Sequence, residues 1–154
     1  MTVIPFSDSF LDAVFQIQQQ AYAPLFEKYH DTKTNPYLES KETVLRKYSR
    51  LGTFGYVFLE QGVPVGSVRV VAGEDTCKIS ALAVLPAYQN QGIAQAALTE
   101  IEHLHSHAKT LVLDTLLQEP GNCHLYEKLG YIRFGEPEII NDKLTLISYR
   151  KELE

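Results

Sequence analysis

Between Ile79 and Ile101 the chain runs from an apolar strand, Ile79 to Val84, through a polar turn holding Gly92, into an Ala-rich helix. A helix start leaves its first backbone N–H groups without intrahelical partners and carries a partial positive charge, so it can hold an anion with no basic side chain. The turn reads Gln89-Asn90-Gln91-Gly92-Ile93-Ala94. Small residues at positions 92 and 94 let a pyrophosphate approach the main chain closely. Strand, cradle and helix in that order constrain the fold more than any other stretch.

The rest of the chain supplies a sheet to carry this unit. A short strand at residues 2 to 6 ends at Pro5, and Ser7 or Asp8 then caps a helix bearing Phe10, Val14, Ile17 and Ala21 at helical spacing. The segment from Tyr22 to Asn35 is polar and aromatic, with Pro24 and Pro36 as breakers, and Ser40 opens a second helix, Thr43 to Leu51, that ends at Gly52. Tyr56 to Leu59, Val65 to Val71 and Cys77 to Val84 are joined by turns at Gln61-Gly62 and near Gly73-Glu74-Asp75, which predicts an antiparallel meander. Ala94, Ala97, Leu98, Ile101 and His105 share one face of the following helix. Leu111 to Leu113 is a fifth strand, expected parallel to the fourth because a crossover helix separates them. Pro120-Gly121-Asn122 opens a short helix that stops at Gly130, and Tyr131 to Phe134 with Leu144 to Arg150 forms a final hairpin.

Bulk properties exclude several functions. A chain of 154 residues with 45% hydrophobic and 21% charged residues is expected to form one domain, residues 1–154, with a real core. Its net charge of −5, with 14 basic residues spread along the chain, offers no basic stripe for nucleic acid. Cys77 and Cys123 lie far apart without metal-ligand spacing and read as reduced thiols. The first residues lack a secretion signal and no apolar run approaches the roughly 20 residues of a membrane span, so the expected localisation is cytoplasmic, without a membrane partner.

The pattern Gln-x-x-Gly-x-Ala after a strand ending Leu-Ala-Val resembles the acyl-CoA-binding signature of the GNAT acyltransferases, Arg/Gln-x-x-Gly-x-Gly/Ala. A second stretch, Asn122-Cys123-His124-Leu125-Tyr126-Glu127-Lys128-Leu129-Gly130-Tyr131, is similar to that family's Asn followed by Tyr-x-x-x-Gly-Phe/Tyr. The order β-α-α-β-β-β-α-β-α-β-β also resembles the family's, over essentially the whole chain. The resemblance implies an α+β fold: a mixed, mostly antiparallel sheet of about seven strands flanked by about four helices. In it a splayed parallel pair, the fourth and fifth strands, forms the CoA cleft.

The resemblance also assigns roles. Freed main-chain groups at Leu82, Ala83 and Val84 would bond the pantetheine arm and polarise the thioester, while Gln89, Asn90, Gln91, Gly92, Ile93 and Ala94 would hold the pyrophosphate. Leu125 and Leu129 would face the core and Tyr126 the splayed edge, where its phenol protonates the departing thiolate. Asn122 would bond the cofactor through its amide, or serve only as a helix cap. Many family members carry Arg or Lys before the glycine, and the neutral Gln91 implies looser binding.

A general base is harder to place. Some family members carry a Glu four residues before the Leu82 position, where this chain has Lys78. Glu74, Asp75, Glu27, His30 and Asp31 remain as candidates. Tyr22, Phe26, Tyr29 and Tyr37 would wall an acceptor site suited to an aliphatic amine, or simply cover the sheet. His103, His105 and His107 have no carboxylate or cysteine beside them and fall at a helix C-terminus, so they read as a solvated helix end and no metal site is expected. The expected activity is direct acetyl transfer from acetyl-CoA to a primary amine of a small molecule or protein. The alternative is a non-catalytic acyl-CoA-binding module. The edge of the final hairpin offers a route to a homodimer.

Overall fold

A computed structural model of the protein describes residues 1–153. Seven strands form one sheet: β1 (Thr2–Pro5), β2 (Thr53–Glu60), β3 (Val63–Ala72), β4 (Thr76–Val84), β5 (Thr110–Leu116), β6 (Ile132–Asn141) and β7 (Leu144–Glu152). Four helices accompany them: α1 (Leu11–Tyr29), α2 (Lys41–Tyr48), α3 (Ile93–Leu104) and α4 (Pro120–Lys128). The strand order is β1-β2-β3-β4-β5-β7-β6, antiparallel except for the β4–β5 pair. The mixed α+β architecture and the parallel pair expected from the sequence are both present.

Strand alternation gives each face of the sheet its helices. Val68, Val70, Cys77, Ile79, Leu111 and Leu113 point to the face covered by Ile93, Ala97, Leu98 and Ile101 of α3 and by Tyr126 of α4. On the opposite face Val14 of α1 and Val44 and Tyr48 of α2 pack on Val57. The predicted turn at Gln61-Gly62 has positive φ at both residues, 51° and 79°, the twist that a two-residue hairpin between right-twisted strands requires. Ser40 caps α2 by accepting the Thr43 N–H at 3.1 Å.

The N-terminal third departs from the sequence-based expectation. Ser7 and Asp8 belong to a short 3-10 turn that precedes α1, and neither side chain caps that helix. The helix then passes through Pro24 to Tyr29. An interior proline removes one backbone bond and costs about 3 kcal/mol. Leu25 and Tyr29 offset this by packing against Ile140 and Leu144, each such burial contributing ~1.5–3 kcal/mol. Tertiary burial therefore overrides a local breaker.

At the other end, β7 inserts between β5 and β6, which leaves β6 as the outer strand. That edge carries Pro137 and breaks in register between Phe134 and Glu138 and between Ile139 and Asn141, features that blunt edge-to-edge pairing. No helix is long and apolar enough to cross a membrane among the described residues.

Candidate active site

The parallel pair β4–β5 stays in register only from Thr76↔Thr110 to Lys78↔Val112, and beyond that the strands part. A bulge in β4 drives the separation. The β3 partners jump from Ser67↔Ala83 to Arg69↔Ser80, leaving Ala81 and Leu82 opposite the single Val68. Ala81 takes φ of +53°, a left-handed conformation that costs a residue with a Cβ roughly 1–2 kcal/mol. The opening so made belongs to a cleft of about 780 Å³ whose walls come from both faces of the sheet.

On the α3 face the cleft reaches the polar turn. The first main-chain bond of α3 runs from the Ala96 N–H to the Gly92 carbonyl at 3.0 Å, so the N–H groups of Ile93, Ala94 and Gln95 lie ahead of the helical ladder. No side chain caps them: Gly92 is the cap residue, at φ +82°, and a Cβ added there would meet nothing within 4 Å. Asn90, a competent cap by type, instead sits in the left-handed region at φ +62°. The two glutamines brace the turn. Gln89 Nε2 donates to the Val84 carbonyl at 3.0 Å, and Gln91 Nε2 to the Ala87 carbonyl at 3.2 Å. What remains free for an anion is main-chain N–H and open space.

The structure brings Leu82, Ala83, Val84, Gln89, Asn90, Gly92, Ile93, Ala94, Asn122 and Tyr126 to the walls of one cleft, and leaves Gln91 outside it. Asn122 is the third residue of α4, whose cap position is Glu119, so it is no helix cap. His124 and Lys128, one turn apart on α4, line the same cleft and add exposed basic groups that the sequence reading had not linked to it.

The burial pattern of α4 differs from expectation. Tyr126 is the buried residue of α4, at 7% exposure, whereas Leu125 and Leu129 are only partly covered. Burial, and then the neighbouring Cys123, pushes its phenol well above the ordinary value of 10. The group is therefore a hydrogen-bond donor held neutral, rather than an acid close in pKa to a thiol. Tyr22 of α1 lines the same cleft, and its hydroxyl donates to the Leu82 carbonyl at 2.5 Å. Burial raises the Tyr22 phenol as well, with the nearby Tyr126 adding to the effect and Arg69 opposing it.

Among the carboxylates foreseen as bases, only Asp31 reaches the cleft, and it is committed elsewhere. It is 2% exposed and accepts the N–H groups of Lys33 and Thr34, both at 2.9 Å, and the Thr34 hydroxyl. Glu119 also lines the cleft; burial raises its pKa, but bonds from Lys28 and Tyr29 outweigh this and hold the carboxyl below its usual range. Glu39 is held by Lys47 and Gln18. Asp114 lies on β5 two residues past Val112, the last paired with β4, and so borders the opening. It sits 3.2 Å from the Lys78 ammonium and accepts the Ser148 hydroxyl at 2.7 Å. Sequence reasoning passed over Asp114 and Arg69; the visible signal was a lone charge inside the apolar strand Val65 to Val71 and another directly after Leu111 to Leu113.

At the end of α3, His103 and His107 are exposed as expected, but His105 is not. His105 is 3% exposed, bonds the Tyr56 hydroxyl through Nε2 at 2.7 Å, and leaves its Nδ1 buried without a partner. Folding also sets Cys77 beside it: ligand atoms of Cys77, His105 and His107 lie within 4.8 Å of one another. Both cysteines are free thiols.

The family model described as acetyltransferase (GNAT) family matches residues 12–131. The fold is that of the ribosomal-protein-S18-alanine N-acetyltransferase from Escherichia coli, with a TM-score of 0.81 at 18% identity over 99% of this chain and 93% of that one. It is likewise that of yncA from Salmonella typhimurium, solved with its cofactor acetyl-CoA: TM-score 0.79, 20% identity, 100% of this chain and 94% of that one. A spermidine N-acetyltransferase from Vibrio cholerae, in complex with CoA and spermine, aligns with a TM-score of 0.78 at 14% identity over 98% of this chain and 94% of that one.

Proposed function

Because the chain belongs to the acetyltransferase (GNAT) family, we propose that it transfers acetyl from acetyl-CoA directly to a primary amine, with residues 82–84, 89, 90, 92–94 and 122 holding the donor and Gln91 bracing the turn. The observation that carries this reading is the early end of β4–β5 pairing, at Lys78↔Val112, which opens a passage between a helix start with no side-chain cap and an aromatic-walled face. The fit to CoA is a fit of donors: an anion of its size needs main-chain N–H groups and room, and the Gly92 turn offers both.

The thioester supplies the acyl group, its carbonyl carbon forming a bond to the amine nitrogen as the carbon–sulfur bond breaks. Main-chain N–H groups of the bulged β4 polarise that carbonyl. Tyr126, neutral and buried, donates its hydroxyl proton as a hydrogen bond to the departing sulfur, which stabilises the thiolate without requiring an ionised phenol. Asp114 takes the proton lost by the amine through water. Tyr22 fixes the Leu82 carbonyl and with it the shape of the bulge. Lys128 supplies the positive charge that Gln91 lacks, with His124 beside it as a further polar group.

Calorimetric titration with acetyl-CoA, followed by thiol release with a panel of amines, tests this. Binding with release supports transfer. Binding without release from any amine leaves the acyl-CoA-binding module, a reading that Lys78 in place of a carboxylate favours. Tight ATP or NAD binding without CoA binding overturns both.

A further inference from the structure

Arg69 lies on β3 opposite Ser80, one residue before the bulge, and its half-buried side chain lines the cleft on the α1 and α2 face. Its guanidinium carbon is 5.9 Å from the centroid of the Tyr48 ring. The other basic groups of this wall are neutralised, Lys47 by Glu39 and Lys78 by Asp114. Glu39 also accepts from Gln18 Nε2 at 2.9 Å, so both of its oxygens are engaged. Among the described residues no carboxylate pairs with Arg69. A guanidinium withdrawn from water with no counter-ion is unfavourable, and its planar fork is shaped for a carboxylate. The cleft wall thus carries an unpaired arginine and no anion of the protein's own.

The surroundings narrow the ligand. Leu25, Leu116, Leu144 and Leu146 line the cleft on the side of α1 and β7. Arg69 stands opposite Ser80, which adjoins the bulged Ala81 and Leu82, so an anion at the guanidinium and an amine at the splay occupy the same stretch of the cleft. A molecule with amine and carboxylate on one carbon and an apolar substituent matches all three features.

We infer that the acceptor is a free α-amino acid with an apolar side chain, its carboxylate held by Arg69, its amine presented at the splay and its side chain among the four leucines. This rests on the acetyl transfer proposed above. The amine nitrogen gains the acetyl group and loses a proton, CoA leaves as the thiol, and the carboxylate is unchanged, giving an N-acetyl amino acid.

The test compares L-leucine with L-leucinamide as acceptors at saturating acetyl-CoA, and L-phenylalanine with its amide. An amide has the less basic, more readily deprotonated amine, so preference for the acid cannot come from amine ionisation. The wild-type protein is expected to show at least a tenfold higher kcat/KM for the acids. Arg69→Gln should collapse that ratio through KM for the acid, and Arg69→Lys should restore part of it. Equal rates for acid and amide in the wild type, or a ratio unmoved by Arg69→Gln, overturn the inference; the wild-type pair decides alone if the variants do not fold. Absence of thiol release with every acceptor is the failure of acetyl transfer instead. In that case calorimetry with N-acetyl-L-leucine on the CoA-loaded protein still decides: binding lost in Arg69→Gln sustains the carboxylate site, and no binding to the wild type removes it.

Discussion

The hydroxyl of Tyr22, on α1, donates to the carbonyl of Leu82, on β4, at 2.5 Å, sixty residues along the chain and across the face of the sheet. The bond lands inside the bulge, one residue after Ala81 with its φ of +53°. It ties the helix that walls one side of the cleft to the strand whose distortion opens it. The strained turn of β4 is thus held from outside the strand, as a sparsely populated backbone conformation must be.

Tyr22→Phe removes that tie and leaves a partly buried carbonyl without its donor. The expected loss of stability is ~1–3 kcal/mol, visible in chemical denaturation. Because the bulge shapes the acyl site, kcat/KM should fall more than the binding constant for CoA alone. Unchanged kinetics in a folded variant would show that the bulge keeps its shape without Tyr22.

Tyr126→Phe leaves the ring in its place between Tyr131 and Tyr149, whose centroids lie 6.0 and 5.9 Å away, and removes only the hydroxyl. Loss of a positioned proton donor lowers turnover by roughly 10²-fold or more. Acetyl-CoA affinity should change no more than about threefold, since binding rests on main-chain groups elsewhere. The phenol lies well above its ordinary value, so the wild-type rate should show no fall near pH 9 to 10 from its ionisation. A turnover matching wild type removes Tyr126 from the chemistry.

The features legible in the sequence are the local ones. Strand, glycine turn and helix from Ile79 to Ile101 follow from neighbours in the chain, as do the Gln61-Gly62 hairpin and the Ser40 cap. What stayed hidden depends on partners far away. Pro24 reads as a breaker until Ile140 and Leu144 are placed against Leu25 and Tyr29. His105 reads as solvated until Tyr56 and Cys77 surround it. Arg69 and Asp114 each sit in an apolar strand, and only the splay gives their charges a place to act.

Gly92→Ala separates backbone strain from ligand approach. At φ +82° an added Cβ is strained by roughly 1–2 kcal/mol yet meets no protein atom within 4 Å. Gly62, at φ +79° and equally open, sits on the β2–β3 hairpin away from the cleft and supplies the control. Both variants should lose similar stability. Only Gly92→Ala should weaken acetyl-CoA binding, by tenfold or more, because its methyl group stands where the pyrophosphate must approach the N–H groups of α3. Equal affinities in the two variants would place the phosphates elsewhere.

Acid sensitivity should trace to His105. Burial, and then the charge of His107, lowers its pKa below the ordinary 6.5. In the unfolded chain the imidazole takes up a proton as pH falls through about 6.5, while in the folded protein it stays neutral to lower pH, bonded to the Tyr56 hydroxyl through Nε2. Between those two values the unfolded state binds more protons, so stability declines with falling pH, by at most about 1.4 kcal/mol per pH unit for one group, and is flat above pH 7.5. Urea denaturation at pH 7.5 and 5.5 measures the decline. His105→Gln retains a hydrogen-bonding group for Tyr56 but cannot titrate, and its stability should vary less over that interval. A decline of the same size in this variant would assign the effect to other groups, and no decline in the wild type would show that His105 accepts a proton as readily inside the fold as outside it.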